Sequence, residues 1–387
     1  MDPLYQWNIR TQNHNLDRIS WNRLLFPNEK MNARMQKESG RAVTIRDVAS
    51  AAGVSVATVS RVLNGNGSVT GATRQSVQQA VARLAYVPDN AARSLSTRNT
   101  QCIGVLLPDL YGEFFSELIR GIDRAVSARG LHLILSCSHG NAAEARAALD
   151  ALRGRVDGLL IMSPHIDDRI LSAGLLASVP TVLMNTRADI TGFSTISVDN
   201  YGGAGAMVRH LVGRGHRRIA HIAGPEDNVD AKGRLSGYLD ALAELRRGVA
   251  PQVLRGDFSE ESGYRAGRQI VSLSDRPDAV FAANDMMAVG CLFALSEAGI
   301  AVPDEIALAG FDDVPIARFV SPPLTTVRVR IAELGELALE RLATAIDAGE
   351  HDKVTRQTLR TELVVRSSCS RARPTVVAVN GRRRKGV

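Results

Sequence analysis

Seven short apolar runs, at 102–107, 131–135, 158–162, 180–184, 218–223, 279–283 and 306–309, alternate with helix-length amphipathic segments such as 114–129 and 202–213. A parallel pair of strands cannot be joined by a tight turn and needs a helical return, so this alternation predicts an α/β domain with parallel sheets. Two such series separate near residue 199. That break predicts two similar lobes, with a cleft where their strand ends meet.

The segment before residue 100 is built differently. Thr44-Ile-Arg-Asp47 reads as a capping box that opens a short helix, with Ile45, Val48 and Ala49 facing inward. The helix should stop at Gly53, where a left-handed turn favours a residue without a side chain. Ser55 then caps a second helix, Val56 to about Leu63, in which Val59, Val62 and Leu63 recur at helical spacing. After the loop Asn64-Gly-Asn-Gly67, a third amphipathic segment runs from about Thr70 to Leu84 on a stripe of Val77, Val81 and Leu84. These features predict an all-α headpiece. The alanine-rich stretch from Asp89 to Leu95 is too short to be a stable helix alone and reads as a conditional linker helix.

At 387 residues, 45% of them hydrophobic, the chain can fill more than one core. The expected division is an unassigned, disordered extension over 1–41, a helix-turn-helix domain over 42–88, a hinge helix and linker over 89–99, a two-lobed domain over 100–370, and a basic disordered tail over 371–387. Residues 41–98 hold seven arginines against two aspartates, +5 of the chain's formal +7. Charge so concentrated points to a polyanionic partner for the headpiece. The block Arg382-Arg-Arg-Lys385 has no apolar period around it and reads as solvated.

Other classes fit poorly. Cys102, Cys137, Cys291 and Cys369 are widely spaced, which argues against a disulfide framework and a zinc site. The histidines show no metal-ligand spacing with cysteine, and there is no G-x-S-x-G elbow. Gly202-Gly-Ala-Gly205 follows a strand but lacks the G-x-G-x-x-G spacing, and the chain has no phosphate-binding G-x-x-x-x-G-K-[ST] loop. No cofactor, metal or catalytic constellation is expected, and a doubly wound enzyme is the weaker alternative. Without an apolar run near the roughly 20 residues that span a bilayer, and without a secretory core in residues 1–30, a cytoplasmic protein with no membrane partner is expected. An exported sugar-binding protein would share the two lobes but not the headpiece.

The run Val43-Thr-Ile-Arg-Asp-Val-Ala49, followed by Ala52-Gly-Val-Ser-Val-Ala-Thr-Val-Ser-Arg-Val-Leu-Asn64, closely resembles the DNA-binding signature of the LacI/GalR family of transcription regulators. The resemblance extends over about residues 42–370, through Tyr86-Val-Pro88, Ala92-Arg-Ser-Leu95, Gly215-His-Arg-Arg-Ile-Ala220, Arg234-Leu-Ser-Gly-Tyr238, Ala283-Asn-Asp285 and Gly310-Phe-Asp-Asp313. It implies a core like that of periplasmic sugar-binding proteins, crossed three times by the chain, with one lobe taking 100–198 plus 326–353.

The same resemblance implies site residues. Ser55, Val56, Ala57 and Thr58 would start the recognition helix in the major groove, with Val56 and Ala57 reading by apolar contact and Arg61 hydrogen-bonding to a base. Thr44, Ser55, Ser60, Asn64 and Thr73 would meet phosphate oxygens. Leu95, with Ala92 and Arg93 near it, would enter the minor groove and kink the duplex. Phe114, Phe115, Tyr201, Asn284 and Asp312 would form the effector cleft, with Lys232 where relatives place an arginine. Read from the residues alone, the phenylalanines could equally pack a core and Asn284 and Asp312 could cap strand ends, while Asp313 reads as structural. The implied protein is a homodimeric repressor of carbohydrate-utilisation genes, bound to a pseudo-palindromic duplex operator and controlled by a sugar or sugar derivative. A purine-type co-repressor ligand is the alternative.

Overall fold

The structure, a computed structural model, describes residues 43–63, 69–87, 99–162, 179–186, 191–246, 248–349 and 353–369. The chain divides between residues 90 and 91 into two compact units.

In the first unit, helices α1 (Ile45–Ala52), α2 (Val56–Leu63) and α3 (Gly71–Arg83) close around Val48, Ala49, Val59, Val77 and Ala80. Gly53 ends α1 in the left-handed region at φ 67°, as its position in the sequence predicts. Thr44 donates its backbone N–H and its hydroxyl to Asp47 Oδ2 at 2.8 and 2.7 Å. The carboxylate thus ties down the entry to α1 from its electropositive end.

The second unit holds two six-stranded sheets. The first lobe orders its strands β11-β5-β4-β3-β1-β2, using β1 (Cys102–Leu107), β2 (His132–Cys137), β3 (Gly158–Ile161), β4 (Thr181–Met184), β5 (Ser194–Val198) and β11 (Arg356–Leu359), all parallel. The second orders β12-β10-β9-β8-β6-β7, from β6 (Ile219–Ala223), β7 (Gln252–Arg255), β8 (Ala279–Ala282), β9 (Ala307–Asp312), β10 (Thr325–Arg328) and β12 (Glu362–Val364). Only β12 runs antiparallel, as an edge strand on β10, a departure from purely parallel sheets that mixed α/β sheets commonly show.

Helices cover both faces of each sheet, so the inner strands are buried along nearly their whole length. In the first lobe, α5 (Ala142–Leu152) packs on one face, while α4 (Glu113–Ala128) and α10 (Ile331–Ala348) pack together on the other. In the second, α6 (Asn200–Gly213) pairs with α7 (Val229–Leu245), and α8 (Glu260–Ser272) with α9 (Asp285–Glu297).

The chain passes between lobes after β5, between β10 and α10, and between β11 and β12. The second passage lies a few residues later than 326, because Thr325–Arg328 pairs with β9 and so belongs to the second lobe. No helix among the described residues is long and apolar enough to cross a membrane.

Candidate functional site

On the headpiece, Val56, Ala57 and Arg61 are exposed while Val59 is buried. Ala57 and Arg61, four residues apart, share one outward face of α2. The Ser55 and Thr58 hydroxyls lie 2.9 Å apart, and Ser55 Oγ accepts from the Thr58 N–H. Thr73 is tied to Thr70 in the same way at the start of α3. These hydroxyls therefore fix helix entries whatever else they touch. Ser60 is half-buried. Asn64, Ala92, Arg93, Leu95 and the hinge stretch up to residue 98 lie outside the described residues.

In the second unit, a cleft between the lobes is lined by Tyr111, Glu113, Phe114, Phe115 and Asn185 from the first lobe. Asn228, Asp230, Arg234, Phe258, Glu260, Asn284 and Asp312 line it from the second. Most of these sit just past strand ends or in first helical turns, where a doubly wound sheet leaves room for a ligand. Phe114 and Phe115 meet edge to face at 5.4 Å. Asn284 serves as the N-cap of α9, accepting from the Met287 N–H and donating to the Phe258 carbonyl, both at 2.9 Å. Three cleft residues with side chains hold positive φ: Asn185 at 47°, Phe258 at 74° and Asp312 at 108°. Such backbone costs about 1–3 kcal/mol per residue outside glycine and tends to gather at ligand sites.

The centre of the cleft is Arg234. It is 3% exposed, and its donors go to Asn200 Oδ1 at 2.8 Å, the Ala283 carbonyl at 2.5 Å and Asp312 at 3.0 Å. Its guanidinium carbon lies 3.9 Å from the centroid of the Phe311 ring, a cation–π contact. Burial pushes the Asp312 carboxyl up to about 6, against the pull of Arg234 and with a further push from Asp230. Asp230 is also raised by burial, although Arg234, Asn200 and Asn185 all favour its charged form.

Two residues expected in the cleft are not there. Lys232 is exposed and borders a separate surface hollow with Arg255 and Glu226. Asp230 and Arg234, at i and i+4, share one face of α7, whereas Lys232 lies about 200° round the helix from each. The arginine of the cleft is therefore present in this chain, two residues further on. Tyr201 is 53% exposed and its hydroxyl donates to Asp240 at 3.0 Å. One helical step of about 100° separates it from Asn200, which does face Arg234. Asp313 accepts from Arg328 at 2.7 Å and Arg366 at 2.5 Å, a structural post as its sequence context suggests. Gly202 donates its N–H to Asp199, so the glycine-rich stretch forms the capped start of α6.

Residues 44–89 match the bacterial regulatory proteins, lacI family, and residues 208–369 match a periplasmic binding protein-like domain. The HTH-type transcriptional repressor PurR of Pectobacterium atrosepticum is 38% identical over 315 residues, covering 80% of this chain and 92% of that protein. The structure of the Lac repressor dimer bound to operator and the anti-inducer ONPF superposes with a TM-score of 0.77 at 31% identity, covering 85% and 99% of the two chains. A transcriptional regulator CelR–cellobiose complex superposes with a TM-score of 0.64 at 34% identity, covering 84% and 99%. With its helix-turn-helix headpiece, two-lobed core and relatives matched over nearly their whole length, the chain belongs to the lacI family of bacterial regulatory proteins and is a DNA-binding transcription repressor with an effector domain, not an enzyme.

Proposed function

We propose that the protein represses transcription as a dimer on a pseudo-palindromic operator, and that an uncharged, ring-shaped effector of purine type, held in the inter-lobe cleft, sets its operator affinity. The observation that carries the ligand's charge is the balance of the cleft. Glu113, Asp230, Glu260 and Asp312 line it, while the charge of Arg234 is spent on Asp312, Asn200 and a carbonyl. A phosphate or carboxylate on the ligand would meet uncompensated like charge in a buried setting. Phe114, Phe115 and Phe258 supply apolar faces for a ring. The purine-type reading is supported by the PurR repressors among the relatives and displaces the carbohydrate expectation from first place. A carbohydrate is the second reading, supported by the cellobiose-bound structural relative and by the carboxylate and amide lining, which suits hydroxyl donors.

Thermal unfolding against hypoxanthine, guanine, adenine, a set of neutral sugars and their phosphates separates these readings. A ligand at 100 times its dissociation constant stabilises by about 2.7 kcal/mol. A shift with a base supports the first reading, a shift with a neutral sugar the second, and a shift confined to sugar phosphates overturns both.

A further inference from the structure

The residues that flank the cleft form one continuous chain of polar contacts whose direction is fixed from its Arg234 end. A guanidinium only donates, so Asn200 must turn its oxygen to Arg234 Nε at 2.8 Å and its nitrogen to Asp230 Oδ1 at 2.7 Å. The other Asp230 oxygen accepts at 3.0 Å from Asn185, which must therefore present its nitrogen. This contact crosses the cleft, because Asn185 follows β4 in the first lobe and Asp230 stands on α7 in the second. The Asn185 amide oxygen is left over. It is buried, Asn185 is 6% exposed and lines the cleft, and the oxygen has no hydrogen-bond partner among the described residues. At the opposite end of the chain, Asp312 Oδ1 already faces Arg234 Nη2 at 3.0 Å as an ion pair, so the Asn185 oxygen is the end left bare.

A buried acceptor left without a donor costs about 1–3 kcal/mol, so the Asn185 oxygen calls for a donor from a ligand. We propose that Asn185 and Asp230 form a specificity-determining pair that reads a hydrogen-bond donor on the end of the effector facing the first lobe. Asp230 acts through Asn185 as a positioning residue: its carboxylate sets which way round the amide stands. The inference rests on the reading that the cleft holds an uncharged effector.

Asp230→Asn makes the test specific. The new amide has one acceptor, taken by Asn200, and its nitrogen must then find an acceptor, which Asn185 supplies by turning over. The effector then meets an N–H where the wild type offers an oxygen, so the preference at that position inverts. Isothermal titration of wild type and Asp230→Asn would use hypoxanthine, guanine and adenine, whose ring edges exchange donors for acceptors, and glucose with its singly deoxyfluorinated forms. Wild type is expected to lose tenfold or more when one particular donor becomes an acceptor, and Asp230→Asn to erase or reverse that ratio. Asn185→Gly, whose backbone at φ 47° suits glycine, should abolish the discrimination at that position. Melting of each variant without ligand shows whether it is folded. A uniform loss for all ligands in a folded Asp230→Asn protein, with Asn185→Gly retaining full discrimination, overturns the pair's role while leaving the effector reading intact. Binding of none of these compounds by wild type overturns both.

Discussion

Arg234 Nη2 stands 3.0 Å from Asp312 Oδ1, with the two side chains 4% and 6% exposed, so the principal ion pair of the cleft is out of water. Buried pairs of this kind add little when intact, but removing one partner strands the other charge and typically costs about 3–5 kcal/mol. Arg234→Lys keeps the charge and loses the fork that also serves Asn200 and the Ala283 carbonyl. Urea denaturation should show a loss of a few kcal/mol, and ligand-induced stabilisation should vanish. A variant as stable and as responsive as wild type would mean that the point charge alone suffices.

Two buried groups should pull the pH dependence of stability in opposite directions. His221 is wholly buried, its Nδ1 lies 2.8 Å from the Phe281 carbonyl and its ring stacks on Tyr238, and burial lowers its pKa to about 4. The unfolded histidine takes a proton near 6.5 and the folded one does not until about 4, so stability is complete above 6.5 and drains as pH falls, by about 3 kcal/mol at most. Asp312 has the reverse sign. Its folded pKa of about 6 exceeds the unfolded value, so its contribution is present at low pH and is lost as pH rises through 6. Relative to wild type, His221→Gln should gain stability as pH falls from 6.5 to 4, and Asp312→Asn should gain as pH rises from 4 to 6. Denaturation curves at four or five pH values would check both; a parallel offset at every pH would refute the assigned shifts.

Alternation of apolar runs and amphipathic segments made the α/β lobes legible, because periods of 2 and 3.6 residues differ plainly over such lengths. The edge strands were not legible in that way. Arg356–Leu359 is mostly polar and largely exposed, and Glu362–Val364 is only three residues long, so no apolar run of strand length marks either. Of the six residues expected in the effector cleft, Phe114, Phe115, Asn284 and Asp312 line the cleft between the lobes. Lys232 and Tyr201 failed by one or two residues on a helix, where such a slip turns a side chain away from the site. Asp230 and Arg234 carried a usable signal, an acid and a base at i,i+4 just after the cap Asn228. Asn185 and Phe258 carried none, since a left-handed backbone at a non-glycine residue leaves no trace in sequence.

Helices α4 and α10 approach closely in the first lobe. A Cβ built on Gly121 would stand 2.0 Å from the Ala332 carbonyl oxygen, a backbone atom that cannot step aside. Gly121→Ala should therefore force the two helices apart and destabilise by about 1–3 kcal/mol or more, despite the better helix propensity of alanine. Gly213→Ala is the matched control, because a Cβ there meets nothing within 4 Å. Thermal melting should fall only for the first; equal behaviour of the two would show that the helix pair yields without cost.

On the headpiece, Arg61 is the exposed residue of α2 whose fork can hydrogen-bond to a guanine edge, while Val56 and Ala57 can only contact apolar groups. If Arg61 reads a base, Arg61→Ala should reduce discrimination between operator and mismatched duplex by about 1–3 kcal/mol and leave nonspecific binding weakened much less. If it meets only phosphate, the variant should weaken binding equally on every sequence, and the slope of log affinity against log salt should drop by about one. Anisotropy titrations on an operator and a scrambled duplex at three salt concentrations distinguish these outcomes, since base reading leaves the slope nearly unchanged and lowers the ratio of affinities.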